Sequence, residues 1–259
     1  MQLMTTRAPL ESKPSSRLHL LDEVRGACIL YVLFYHFMYD LDTLFGIIDF
    51  PYLWSDTMQF LRMGFVILLM LLSGISCTLS KNNFRRALKL LCAALFISLI
   101  TYWVVGSDYV LFGILHFFSF AIFVYCLTGK YLKKLPTKTF SLLFGVLFLM
   151  TFDIYNGSLS LLEWELSLPS FLYNKFWLVP FGFGMEGFSS IDYYPVFPWI
   201  FIFLIGALYG EWLRTHRVPT LFHTVHLPFL STIGRHTLFL YLVHQPIFYV
   251  LIGLFTFIK

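Results

Sequence analysis

The chain has 259 residues, of which 58% are hydrophobic, 20% aromatic and only 12% charged. A soluble domain carries about 25% charged residues, so water is excluded as the only solvent for a chain this apolar. The net charge is a modest +4, and no basic run carries interleaved aromatics, which excludes nucleic acid as a partner. Cys28, Cys77, Cys92 and Cys126 all lie in apolar stretches without a C-x-x-C pair and read as small apolar fillers.

In chain order, residues 1–21 are polar and lack the apolar core of a cleavable leader. They form a cytosolic N-terminal segment, and residues 22–259 form one membrane domain. A helix needs roughly 20 apolar residues to cross ~30 Å of hydrocarbon. Such runs occupy 22–40, 57–79, 84–105, 109–128, 138–155, 195–213 and 234–257. The predicted fold is therefore all-α, a polytopic bundle of about seven transmembrane helices. Between the fifth and sixth runs lies an aromatic-rich stretch, 156–194, read as an extracytosolic loop with a short interfacial helix near Phe171 to Val179.

Charge gives this bundle a direction. With the N-terminus in the cytosol, the inside segments hold Arg7, Lys13, Arg17 and Arg25, then Lys81, Arg85, Arg86 and Lys89. They also hold Lys130, Lys133, Lys134 and Lys138, and finally Arg214, Arg217 and Arg235. Only Arg62, Lys175 and Lys259 of the 18 basic residues fall elsewhere. Asp40, Asp42, Asp49, Asp56, Asp108, Glu163, Glu165, Glu186 and Asp192 fall outside. Seven crossings satisfy the positive-inside rule and put the C-terminus outside; the location this implies is a cell membrane.

An ionisable side chain in hydrocarbon costs a few kcal/mol and is a functional candidate by default. His36 lies ~21 Å along the first helix, and Asp40 follows one turn later on the same face. A carboxylate beside an imidazole fixes its tautomer, which suits a general base; the same pair also serves as a simple interfacial anchor. Arg62, near the outer end of the second helix, either snorkels or pairs with Asp40 or Asp192. His116 on the fourth helix, with His244 and Gln245 just before Pro246 on the seventh, suggests a shared polar cavity. At the inner end, Asp22, Arg25 and Arg235 mark helix termini, and the two arginines suit phosphates as well as ordinary anchoring.

Three motifs carry little. Gly182-Phe-Gly184-Met-Glu-Gly187 fits a dinucleotide fingerprint but follows no predicted strand. His216, His223 and His226 lack companion ligands at zinc spacing, so no metal is assigned. Asn156-Gly157-Ser158 is a glycosylation sequon relevant only to a secretory host.

Four ordered strings carry a resemblance. They are Leu21-Asp22-Glu23-Val24-Arg25-Gly26 leading to His36 and Asp40; Phe112-Gly113-Ile114-Leu115-His116; Asp192-Tyr-Tyr-Pro195-Val-Phe-Pro198-Trp199; and Ile233-Gly234-Arg235-His236 leading to Tyr241-Leu-Val-His244-Gln245-Pro246. The chain resembles small bacterial membrane proteins grouped with the catalytic domain of heparan-α-glucosaminide N-acetyltransferase, within the wider set of transmembrane acyltransferases. The resemblance implies that acetyl-CoA, or another acyl-CoA, donates to a saccharide or other envelope acceptor on the outer side. It implies His36 as the catalytic histidine, oriented by Asp40 or Asp192. Arg25 and Arg235 would meet the CoA phosphates, and Asp22, Arg62, His116, His244 and Gln245 would line or support the path. The larger relatives have about ten or more helices, so a homo-oligomer is the natural way for a smaller bundle to complete a tunnel. A proton-coupled transporter or flippase using the same residues is the alternative reading.

Overall fold

The computed structural model describes residues 17–106 and 109–258. Arg7, Lys13, Asp108 and Lys259, and most of the 1–21 segment, lie outside the described residues. Every predicted run is helical. The eight α-helices among the described residues are α1 (His19–Tyr39), α2 (Asp56–Leu79), α3 (Asn83–Val105), α4 (Ile114–Leu132), α5 (Thr137–Met150), α6 (Val196–Thr215), α7 (Pro228–Arg235) and α8 (Thr237–Ile258). Among the described residues, six helical spans are long and apolar enough to cross a membrane: α2, α3, α4, α6, α8, and α5 taken with its continuation to Asn156. The first turns of α1 carry Asp22, Glu23 and Arg25 and keep it from joining those six.

The core runs through α2, α4 and α6. Phe117, Phe203, Ile122, Met70 and Leu208 are fully buried. Small residues let the backbones meet, as expected where van der Waals packing rather than water drives helix association. A Cβ on Gly74 would lie 2.1 Å from the Phe203 carbonyl oxygen, and one on Gly206 would lie 2.2 Å from that of Leu71. Gly206 and Gly210 form a G-x-x-x-G face on α6. By contrast, the outer faces of α3 and α8 leave Phe96, Trp103, Val250 and Phe255 exposed, as lipid-facing surfaces require.

Three boundaries depart from the sequence reading. The fourth helix starts at Ile114 rather than 109, because Gly113 is its N-cap and residues before it form a loop. The last predicted run splits at His236, giving the short helix α7 before α8. The 156–194 stretch holds no α-helix near Phe171 to Val179. It holds two 3-10 stretches, Ser170–Asn174 and Phe176–Phe181, after a hairpin of β1 (Ser158–Leu161) and β2 (Trp164–Ser167), paired antiparallel with Leu161 opposite Trp164. Prolines 169 and 180 explain the short turns, since proline removes a helix donor.

α7 is bound to α1 by a two-glycine contact. A Cβ on Gly26 would meet the Leu230 carbonyl oxygen at 2.1 Å, and one on Gly234 would meet that of Asp22 at 1.8 Å. Glu23 completes the clamp: its Oε1 accepts from the backbone N–H of His226 at 2.7 Å and Leu227 at 3.0 Å, just ahead of α7. The glycines of two of the quoted strings are thus packing residues, placed so that two helices touch backbone to backbone.

Candidate functional site

The first and last long helices bring the costly polar residues together. His36 sits in the last turn of α1, which passes at Asp40–Leu44 into a π-helical turn. Such widened turns are rare and recur at functional sites. His244 lies on α8, two residues before Pro246. Across this seam His36 Nδ1 is 2.8 Å from His244 Nε2.

Hydrogen-bond logic fixes the protons. His244 Nδ1 faces the Tyr241 carbonyl oxygen at 2.7 Å. A carbonyl only accepts, so Nδ1 carries the hydrogen and, in the neutral ring, Nε2 carries a lone pair. His36 Nδ1 therefore donates to His244, which leaves His36 Nε2 without a proton. A chain of two neutral imidazoles ends in an unprotonated nitrogen, the form a general base needs.

Asp40 is hydrogen-bonded across the seam to α8. It is fully buried, and Gln245 Nε2 donates to its Oδ1 at 2.8 Å and its Oδ2 at 3.0 Å. The structure thus pairs Asp40 with Gln245 and His36 with His244, two adjacent rungs between α1 and α8. The one-turn spacing on α1 placed Asp40 beside His36 along the helix, but each side chain finds its partner across the seam instead.

Asp192 approaches the pair from the loop before α6. Its Oδ2 accepts from the Ile114 N–H and from the Tyr241 hydroxyl, both at 3.1 Å. The carboxylate sits at the N-terminus of α4, where the helix dipole favours an anion. Gly113 makes room for it, since a Cβ there would lie 2.6 Å from Asp192 Oδ2. Burial pushes the Asp192 carboxyl above its ordinary range, against the opposing pull of the Ile114 N–H, the Tyr241 hydroxyl and the Arg62 charge. Tyr241 therefore links Asp192, through its hydroxyl, to His244, through its carbonyl. Sequence reasoning gave Tyr241 no role; its i, i+3 spacing to His244 was the available signal.

Arg62 forms no close ion pair with Asp40 or Asp192 among the described residues, though its charge acts on Asp192. Its Nε donates to Gln59 at 3.0 Å, and its guanidinium lies 5.8 Å from the centre of the Tyr35 ring. His116 lies in the first turn of α4. Its Nδ1 accepts from the Gly113 N–H at 3.2 Å, and its Nε2 faces Ser98 Oγ at 3.4 Å. His116 thus caps its own helix.

At the N-terminal end of α1 the two arginines differ. Arg25 is tied inward, with Nη1 to Asp22 at 2.8 Å and Nη2 to Ser76 at 2.8 Å, while Arg17 also holds Asp22 at 2.7 Å. Arg25 is therefore committed to the protein. Arg235 is exposed and donates to Thr232, one turn back on its own helix, at 3.0 Å. A further buried carboxylate, Glu211 on α6, was not foreseen. Tyr125 donates to it at 2.9 Å, Arg214 at 3.0 Å, and Lys133 stands 3.7 Å away. A lone glutamate inside an apolar run was its signal.

A comparison with curated proteins and one with solved structures each returned no match. A family model described as "Heparan-alpha-glucosaminide N-acetyltransferase, catalytic" matches residues 17–246. That span begins just before α1 and ends at Pro246, so it includes both histidines, both rungs and Asp192. The chain belongs to this family, and so to the transmembrane acetyltransferases in general.

Proposed function

We propose that the protein transfers an acyl group, acetyl above all, from cytosolic acyl-CoA to a hydroxyl or amine of a saccharide or other envelope acceptor on the opposite side of the cell membrane. The observation that carries this reading is the His36–His244 hydrogen bond at 2.8 Å, with the proton order that leaves His36 Nε2 bare.

The step balances without another reactant. His36 Nε2 takes the proton of the acceptor O–H or N–H as the oxygen or nitrogen attacks the thioester carbonyl. The carbon–sulfur bond then breaks, and the proton passes from His36 to the departing CoA sulfur. The products are the acylated acceptor and free CoA. His244 keeps His36 in one tautomer and one orientation, and shares the positive charge that forms during the step. Tyr241 and Asp192 hold the seam from the α4 side. Asp40 and Gln245 fix α1 against α8 one turn further along.

On this reading the CoA phosphates meet Arg235 at the inner face, while Arg25 stays within the fold. From Arg25 to His36 the helix rises ~16 Å, a length the pantetheine arm spans. The positive-inside count supports the inward N-terminus.

The test uses purified protein in nanodiscs with radiolabelled acetyl-CoA. Wild type should hydrolyse or transfer the label, and His36→Ala should abolish this. Wild-type protein that neither binds nor turns over acetyl-CoA would sink the reading.

A further inference from the structure

An apolar groove lies between α1, α2 and α6 at the N-terminal end of α1. Its volume is about 370 Å³, and Leu21, Leu71, Ile75, Ile205, Trp212 and Phe222 are among the residues that line it. No charged side chain lines this groove. The acetyl-transfer site lies elsewhere, between α1 and α8, and uses none of these residues. Of the lining side chains only Tyr209 and Trp212 carry a polar atom, so burial there would leave most of the amides of a pantetheine arm unpaired. An alkyl chain fits it.

The rim has a different character. Phe222 belongs to the connection between α6 and α8, and that connection is both basic and greasy. Leu221, Val225, Leu227 and Phe229 are all exposed. Arg217 and Arg235 are exposed among them, along with His216 and His226. From Trp212 to Lys259 the sequence contains no aspartate or glutamate. The connection leaves one membrane-length helix and enters another, so it lies at the bilayer surface. Apolar side chains beside cations without acids favour anionic headgroups there.

From these two features, one in the fold and one in the sequence, we infer that the protein holds an anionic phospholipid at this place: one acyl chain in the α1–α2–α6 groove, and the phosphate at the basic connection around Arg217. The lipid is a bound structural ligand. It covers an apolar surface that helix packing leaves open, and it presses the connection, with α7, against α1. Glu23 and the Gly26–Gly234 contact hold that connection from the protein side. The lipid holds it from the membrane side.

Trp212 reports on the groove from inside. The experiment uses the full chain, delipidated in detergent, and titrates phosphatidylglycerol brominated on its acyl chains. The signal is the emission difference between wild type and Trp212→Phe. Saturable quenching of that difference is expected, at about one lipid per chain. Phosphatidylcholine brominated at the same positions should need several-fold higher concentration. Arg217→Gln should erase this preference while leaving the quenching by phosphatidylcholine unchanged. Ile75→Phe, which fills the groove without adding a fluorophore at the emission wavelength, should remove saturable quenching by both lipids; if that variant does not fold, the lipid comparison on wild type and Arg217→Gln decides alone. Quenching that never saturates would overturn the site. Equal quenching by the two lipids would overturn its charge preference. Loss of that preference on adding free CoA would show that the basic residues serve a soluble phosphate instead, and would overturn the lipid assignment.

Discussion

His36 Nδ1 lies 2.8 Å from His244 Nε2, so a histidine of α8 is the orienting partner of a histidine on α1. The two residues should therefore fail differently. On the proposed mechanism, His36→Ala removes the base and should lower acetyl transfer by about 10²–10⁴-fold. His244→Ala removes one orienting hydrogen bond, worth ~1.4 kcal/mol, and should lower kcat by roughly tenfold. Steady-state kinetics of both variants in nanodiscs checks this. Equal losses would mean that His244 touches the reacting atoms itself.

The Asp40–Gln245 rung predicts a stability effect. Gln245→Leu leaves a fully buried carboxylate without its two hydrogen bonds. The expected cost is ~1–3 kcal/mol, seen as a lower melting temperature in detergent. Asp40→Asn in the Gln245→Leu background should recover part of it, because an unpaired amide is cheaper to bury than an unpaired carboxylate. An unchanged melt for Gln245→Leu would contradict the rung.

Arg25 and Arg235 should separate cleanly. Arg235→Gln should raise KM for acetyl-CoA about tenfold, a binding loss of ~1.4 kcal/mol, with kcat and thermal stability unchanged. Arg25→Gln should instead weaken the fold by ~1–3 kcal/mol, since Asp22 and Ser76 each lose a partner. If Arg25→Gln changed KM alone, the division of labour would be reversed.

Gly26→Ala places a methyl 2.1 Å from the Leu230 carbonyl oxygen, a distance no packing tolerates. α7 must then move off α1, at a cost of ~1–3 kcal/mol. A disulfide or short crosslink engineered between α1 and α7 should form readily in wild type and poorly in the variant.

The direction of the bundle is tested at the hairpin. Leu162 is 99% exposed at its tip. Leu162→Cys should react with a membrane-impermeant thiol reagent added to intact cells from outside. Labelling confined to inverted vesicles would reverse the orientation.

The helices were legible because each is a run of about 20 apolar residues, and the bilayer enforces that length. His36, His244, Gln245 and Asp192 were legible because a polar side chain in an apolar run stands out. Their pairings were not. His36 and His244 are separated by 208 positions, and periodicity within one helix says nothing about contacts between helices. Asp40 shows the cost of reading one helix alone, since its neighbour along α1 is not its partner. Arg25 read, with Arg235, as a phosphate contact or an ordinary anchor, and only the Ser76 and Asp22 bonds reveal it as internal. The hairpin at 158–167 and helix α7 were too short to register against a membrane-length pattern.

The two rungs between α1 and α8 also bear on synthesis. A ribosome that has finished α1 through α7 has made His36 and Asp40 but neither of their partners. A chain halted before α8 holds no tautomer-locked base, however well its other helices have packed. On the proposed mechanism, catalytic competence is thus switched on by the arrival of one late segment, and an unfinished chain in the membrane is silent.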